Sequence, residues 1–349
     1  MRTKPRCEIR ATADPAAFRL ALAAWFSREG RDLPWRRTRD PYVVLVSEMM
    51  LQQTQVTTVL AGGYFQKFLA VFPTAEVLAQ AGDDALLKSW EGLGYYRRVR
   101  LLRDAARAVV ERHGGCFPSD LDALLALPGV GRYTAGALRA FAFDLPAVLV
   151  DGNIARVIAR LTNQHKPIDT PAGISAIWKT AGKLACDAAP RSHHSALMEL
   201  GQKICRPGVP ACHQCPVARW CAARAPEKLP VKNGRIRLTA VEEHAVFLRD
   251  GHGRVLLHRE IGSRRHGLWR LPLRPADDVR HLPAIEREDY TITRYKVSLV
   301  VHDAAAAKPA VIPAANEAWI AENEVAALAM TAPCRRVISR LLGFATESM

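Results

Sequence analysis

Four cysteines, Cys205, Cys212, Cys215 and Cys221, fall within 17 residues with the spacing C-x6-C-x2-C-x5-C. Four thiolates on one compact segment can ligate a [4Fe–4S] cubane or a tetrahedral zinc ion, and Pro207, Pro210 and Pro216 make this segment a tight loop rather than a helix. Structural zinc sites usually pair two short C-x2-4-C knuckles, and only one short pair stands here. The cluster is therefore the first assignment and zinc the alternative. Cys7, Cys116, Cys186 and Cys334 are scattered and read as ordinary thiols.

Two carboxylates stand out by context. Glu48 follows Val46-Ser47 and is expected to open a helix running through Met49-Met50-Leu51-Gln52-Gln53-Thr54-Gln55. Asp151 follows the apolar run Ala147-Val148-Leu149-Val150 and precedes a helix over 154–161. Each alone has a plain structural reading, Asp151 as an N-cap and Glu48 as a first-turn dipole residue. Together they form the pair that glycosidic bond cleavage needs: one acid to protonate the leaving group, one carboxylate to stabilise or trap an oxocarbenium ion.

A third motif, Leu127-Pro128-Gly129-Val130-Gly131-Arg132-Tyr133-Thr134-Ala135-Gly136, is a sharp turn between two helices. Its glycines permit the turn, and the N–H groups of Val130, Gly131 and Arg132 at the next helix start can receive a phosphate at the helix's positive end. This is a helix-hairpin-helix signature, suited to gripping a DNA backbone without reading bases.

The elements that must position these groups follow from the punctuation. From Ala16 to about Leu238 the pattern is helical, with amphipathic segments at 18–26 and Val43–Leu60, and stops at Pro73, Gly82, Gly92, Gly114-Gly115, Pro128-Gly129, Pro146 and Pro167. Residues 1–15 read as a basic arm, 16–225 as a mainly α domain and 226–240 as an extended linker. Residues 241–349 read as a mixed α/β domain, with a candidate hairpin from His244 to His258 across Gly251-His252-Gly253, a strand over Tyr290–Val301 and a closing helix at 334–343.

The chain has 349 residues and a net charge of +15; residues 241–349 hold 15 Lys/Arg and 14 Asp/Glu, so the excess belongs to the helical region. A field of that sign attracts nucleic acid, with affinity expected to fall steeply as salt rises. No run of about 18 apolar residues predicts a membrane span, and Met1–Arg10 lacks the apolar core of a secretory signal. The expected setting is cytoplasmic, nucleoid-associated if bacterial, and the expected state a monomer.

Taken together, Val46–Val56, Trp90-Glu91-Gly92-Leu93-Gly94-Tyr95-Tyr96-Arg97-Arg98, the hairpin 127–136, Val150-Asp151-Gly152-Asn153 and the four-cysteine loop resemble the adenine DNA glycosylase family. The resemblance covers about residues 16–225. It implies a helix-hairpin-helix glycosylase domain with a [4Fe–4S] cluster, then a nudix-like domain that inspects the opposing 8-oxoguanine, to which 241–349 is similar more weakly through Val255-Leu-Leu-His-Arg and Gly267-Leu268-Trp269-Arg270-Leu271-Pro272. The substrate implied is double-stranded DNA with a mispaired or damaged purine. By the same resemblance Glu48 protonates N7 of a flipped-out adenine, Asp151 stabilises or captures C1′, Asn153 helps hold the site and Tyr133 sits beside Asp151. Gln53 and Tyr95 match intercalating positions, with Thr54 in the same DNA-binding set, and Trp35 and Arg36 wall the adenine pocket. In the sister family that resembles endonuclease III, a Schiff-base lysine takes the place of Tyr133, so a monofunctional enzyme leaving an abasic site is expected.

The chain departs from the family pattern twice. The nudix-like domain usually reads 8-oxoguanine with Phe-Ser-His on a strand, and the matching stretch here is Ile292-Thr293-Arg294. Before the cluster the family commonly places Gln or Glu against the adenine, where this chain has Ser195 after His193-His194. An altered lesion pair, or a non-catalytic iron–sulfur DNA-binding protein, are the competing readings. The C-terminal domain lacks a full nudix box, so nucleotide hydrolysis is not expected there.

Overall fold

Asp14 accepts a hydrogen bond from the Ala17 N–H and Pro15 takes the first helical position, starting α1 (Pro15–Glu29), which Gly30 ends. The computed structural model describes residues 14–234, 237–263, 265–305 and 313–344, so the arm expected over 1–15 lies outside it up to residue 13. Helices follow as α2 (Pro41–Leu51), α3 (Val56–Ala61), α4 (Tyr64–Val71), α5 (Ala75–Ala79), α6 (Asp83–Ser89), α7 (Arg97–His113), α8 (Leu121–Leu125), α9 (Arg132–Phe141), α10 (Gly152–Leu161), α11 (Pro171–Leu184) and α12 (Pro190–Lys203). Among the described residues no helix is long and apolar enough to cross a membrane.

Two compact units divide the chain: one takes residues up to Glu48 and Ala108–Gly234, the other Met49–Arg107 and Arg235 onward. The helical region thus contributes to both. In the first unit, Phe18, Leu22 and Trp25 of α1 meet Ile154, Val157 and Ile158 of α10, Ile177 and Leu184 of α11 and Leu197 and Leu200 of α12. Trp220, from the cysteine loop, joins this core and meets Phe18 edge-on at 5.8 Å. The segment after residue 225, read as an extended linker, is packed as far as 233. Leu229 is buried, its carbonyl accepts from Arg160 Nε at 3.1 Å, and Val231 O accepts from Ile168 N at 3.0 Å.

The expected helical stretch Val43–Leu60 is two helices. Asp40 Oδ1 accepts from Tyr42 N at 2.8 Å and starts α2 at Pro41, so Glu48 lies in the last turns of its helix rather than opening it. The chain leaves that helix at Gln52, and Gln53 takes a φ of 60°, a left-handed value that an α-helix cannot contain.

In the second unit, Phe68 packs edge-on against Trp90 at 5.6 Å within the helical part. The mixed part holds two sheets. β1 (Thr239–Phe247), β4 (Leu273–Arg274), β5 (Ala284–Ile292) and β6 (Tyr295–Asp303) form one, in the order β4-β1-β6-β5; β2 (Val255–Arg259), β3 (Trp269–Arg270) and β7 (Glu317–Ile320) form the other, in the order β3-β2-β7. The helices α13 (Ala276–Val279), α14 (Glu322–Val325) and α15 (Ala332–Leu342) complete it, α15 packing Val337 and Ile338 onto Leu257, Leu299 and Val301. The two parts of this unit are stitched by Arg335 Nε to Glu91 Oε1 (2.7 Å), Tyr96 Oη to Met330 O (2.6 Å) and Lys88 Nζ to Ala326 O (2.6 Å).

Two strand expectations need correction. β1 and β2 lie in different sheets instead of forming a hairpin ladder, and the isolated bridge of Arg249 with Val255 falls after β1 has ended. The consecutive buried residues His244-Ala245-Val246 mark β1 as an inner strand covered on both faces, and its two edges are taken by β4 and, in parallel, β6. The expected single strand Tyr290–Val301 is instead part of a hairpin: Ile292 pairs with Tyr295, and Thr293-Arg294 form a two-residue turn. Such turns need left-handed backbone, which Thr293 supplies at φ 52° without the Gly or Asn that would have signalled it.

Candidate active site

The first unit brings Glu48, Tyr133, Asp151 and Asn153 together from three helices. Glu48 rides on α2 and is 7% exposed. Tyr133 is the second residue of α9, and its hydroxyl donates to the Glu48 carboxylate. Asp151 is the N-cap of α10: Oδ1 accepts from Ile154 N and Oδ2 from Asn153 Nδ2, both at 2.7 Å. The structural reading of Asp151 as a cap and its place in the carboxylate pair thus coincide.

Burial raises both acids. Burial pushes the Glu48 carboxyl up to about 7; the Tyr133 hydrogen bond pulls it down, and the Asp151 charge pushes it up. Burial also raises Asp151, against the capping bonds from Ile154 and Asn153 and the Arg156 charge. Tyr133 is driven far above its ordinary range, first by burial and then by both carboxylates, so its hydroxyl remains a donor. The corner therefore offers one carboxyl pushed up to about 7 and a second carboxyl group held by two hydrogen-bond donors.

Sequence reading missed the residues that hold this corner. Arg156, buried on α10, donates from Nη2 to Asn153 Oδ1 (2.9 Å) and Gly201 O (2.7 Å), and from Nε to Cys205 O (2.7 Å). One guanidinium thus ties the Asn153 amide to the start of the cysteine loop. Gly201 lets α12 approach, since a Cβ there would stand 2.8 Å from Asn153 Cβ. The available signal was an arginine set among Ile154, Val157 and Ile158 on a buried helix face.

Trp35 is buried, and Arg36 donates to Glu199 Oε2 at 2.8 Å and to Arg31 O at 2.9 Å. Burial pushes Glu199 up, but hydrogen bonds and charge from Arg31 and Arg36 more than offset it and hold this carboxylate ionised. Ser195 is buried on α12; beside it His194 Nε2 lies 2.9 Å from Ala147 O, on the run that leads to Asp151.

The hairpin is formed as expected, with one change. Gly129 turns at φ 73° and Gly131 caps α9, while Leu127 and Val130 are buried anchors. The Val130 N–H is spent on Leu127 O at 3.1 Å, so it is not available to a phosphate as expected. The first-turn N–H groups of α9, beginning at Arg132, are not used by the helix itself. The Arg132 side chain is exposed and stacks on Trp178 at 3.8 Å.

Cys205, Cys215 and Cys221 are half-buried and Cys212 is exposed, all as free thiols. Among the described residues no three His, Cys, Asp or Glu groups close on a single ion. The thiols are nonetheless neighbours: burial pushes Cys215 up to about 12, and Cys205, Cys221 and Cys212 each add to that rise. Arg160, 1% exposed, donates to Cys205 Sγ at 3.3 Å, and Arg156 also lies near this sulfur. Two cations beside clustered sulfurs favour the thiolate form that ligates a metal.

In the second unit, Gln53 and Tyr95 are exposed and Thr54 half-buried, with their turns drawn together by Arg98. Ile292, Thr293 and Arg294 occupy the tip of the β5–β6 hairpin, all exposed, and the Arg294 guanidinium lies over the Tyr295 ring at 5.2 Å.

Residues 46–180 match the family described as HhH-GPD superfamily base excision DNA repair protein. The adenine DNA glycosylase of Homo sapiens is 43% identical over 225 residues, covering 62% of this chain and 41% of that protein. The adenine DNA glycosylase of Mycolicibacterium smegmatis is 38% identical over 208 residues, covering 59% of this chain and 70% of that one. The chain thus spans about two fifths of the mammalian relatives it matches. Among solved structures, a thermostable thymine-DNA glycosylase aligns with a TM-score of 0.54 at 30% identity, over 61% of this chain and 97% of the other. On these matches, the chain belongs to the adenine DNA glycosylase family.

Proposed function

We propose that this chain is a monofunctional DNA glycosylase that hydrolyses the N-glycosidic bond of adenine mispaired with 8-oxoguanine or guanine, leaving an abasic site. The observation that carries this reading is the corner in which Glu48, pushed up to about 7, meets Tyr133 and the capped Asp151. Glu48 gives its proton to N7 of an extruded adenine. The C1′–N9 bond breaks with its electron pair going to the base, and Asp151 stabilises the positive charge left at C1′. Water then adds to C1′, its proton returning to a carboxylate. Tyr133 offers no amine for a Schiff base, which supports hydrolysis over strand cleavage.

The ligand is double-stranded DNA bound by a monomer, with the first turn of α9 and the basic helical region meeting phosphates. Cys205, Cys212, Cys215 and Cys221 would hold a [4Fe–4S] cluster, a fit supported by their grouping and by Arg160 beside Cys205. When bound, the cluster would supply a cross-link that rigidifies the loop and a one-electron couple. A second reading, the same chemistry on an altered lesion pair, is favoured by the Arg294–Tyr295 stack where the family has Phe-Ser-His. The test is a glycosylase assay across purine mispairs with the freed base identified by mass. Adenine released opposite 8-oxoguanine or guanine is expected, and no adenine from any mispair would end this reading.

A further inference from the structure

Arg98, the second residue of α7, is buried, and its guanidinium gathers backbone from two separate turns. Nη1 donates to Met49 O (2.8 Å), Met50 O (3.0 Å) and Gln52 O; Nη2 donates to Leu93 O (2.9 Å), Gly94 O (3.3 Å) and Thr54 Oγ1 (3.3 Å). The first group includes C-terminal carbonyls of α2, the helix that carries Glu48. Those carbonyls lack partners within the helix, and the negative end of its dipole favours a cation there. The second group leads into Tyr95, whose ring lies 5.6 Å from the guanidinium, with Trp90 at 5.5 Å.

Beside each anchored stretch stands a non-glycine residue in left-handed backbone, Gln53 at φ 60° and Tyr95 at φ 46°, and both side chains are exposed. Strained, exposed residues persist only where their surroundings over-determine them. Here one planar cation does so for both. A lysine would keep the charge but lose the fork, since three donors on one nitrogen cannot serve carbonyls on two turns as a guanidinium does.

We infer that Arg98 is a positioning residue that fixes Gln53 and Tyr95 relative to each other as a preset wedge for opening a base pair. This rests on the excision reading above. Extruding a base costs stacking, and a wedge ordered before binding loses less entropy than two mobile side chains would.

The test uses the full chain with Arg98→Lys and, as a milder change that keeps the arginine, Thr54→Val. Adenine is placed opposite 8-oxoguanine, or in an unpaired single-base bulge; a parallel paired duplex carries 2-aminopurine at the target to report unstacking without chemistry. Arg98→Lys is expected to slow release of the paired base by roughly 30-fold, and of the bulged base by at most about 3-fold, because the bulge removes much of the unstacking cost. The 2-aminopurine fluorescence rise should fall in parallel, while affinity for an undamaged duplex changes little. Thr54→Val should show the same contrast between paired and bulged adenine, smaller, whatever its effect on duplex affinity. Equal losses on paired and bulged adenine, or an undiminished fluorescence rise in both variants, would overturn the assignment. A fluorescence rise in the wild type without base release from any duplex would instead sink the excision reading and leave the wedge standing.

Discussion

Glu48 is 7% exposed and shares a buried corner with Tyr133 and Asp151, whereas Arg294, at the β5–β6 turn, is exposed and both stacks on and hydrogen-bonds the neighbouring Tyr295. The corner depends on three helices packed from distant sequence. The tip depends on a two-residue turn. A change in the corner must disturb packing, capping and charge together, while a change at the tip alters the donors and faces it presents without unsettling the sheet below. This chain departs from the family pattern at the tip and at Ser195 on α12, and keeps both carboxylates of the corner.

The sharpest way to break that contrast is at the acids. Glu48→Gln and Asp151→Asn are each expected to lower single-turnover adenine release by about 10³-fold or more while duplex binding persists, as loss of an acid or charge stabiliser does. Gel-shift affinity beside base release measures both. If either variant retained wild-type rates, the corner would not be the reacting centre.

The proton on Glu48 gives the next largest effect. Since this carboxyl titrates at about 7, wild-type release should fall by about tenfold per pH unit above that point, as the acid form is lost. Tyr133→Phe removes a hydrogen bond that lowers Glu48, so this alkaline limb should move to higher pH; a rate–pH profile of both proteins checks the sign.

Stability carries the same signature. Glu48 is raised in the folded state from its ordinary 4.5 to about 7, so the folded protein binds this proton more tightly than the unfolded chain. The contribution is fully present below pH 4.5 and lost as pH rises through 7. Glu48→Gln should therefore be more stable than wild type at pH 8, by on the order of 3 kcal/mol, with the gap closing toward pH 4. Urea melts at the two pH values test it.

At the tip the expected changes are smallest. Arg294→Ala should shift stability by no more than about 0.5 kcal/mol, as exposed substitutions do. Its effect should appear in the ratio of adenine release opposite 8-oxoguanine and guanine, by about tenfold, the scale of one guanidinium contact to a purine edge. An unchanged ratio with weakened binding would make Arg294 a phosphate contact.

Much of this was legible without coordinates because it is local. The spacing of Cys205, Cys212, Cys215 and Cys221, the turn at Pro128-Gly129 and the cap at Asp151 each depend on a few nearby residues, and the turn and the cap form as short-range chemistry dictates. The strand errors have a local cause too: Thr293 carries a left-handed turn without the residue type that announces one, and β1 has an edge partner, β6, about 56 positions away.

What the tertiary structure decided is charge state and placement. Whether Glu48 holds a proton depends on its burial and on Tyr133 and Asp151, and no pattern in residues 41–51 contains that information. Arg36 is engaged by Glu199, 163 residues away, Arg156 reaches Cys205 across 49, and Arg98 gathers turns up to 49 residues distant. Each is a long cation that looks like surface in sequence and becomes internal only when helices close around it. By itself the sequence determined which groups are available and what each can do; packing decided which of them meet, and hence that burial pushes Glu48 up to about 7.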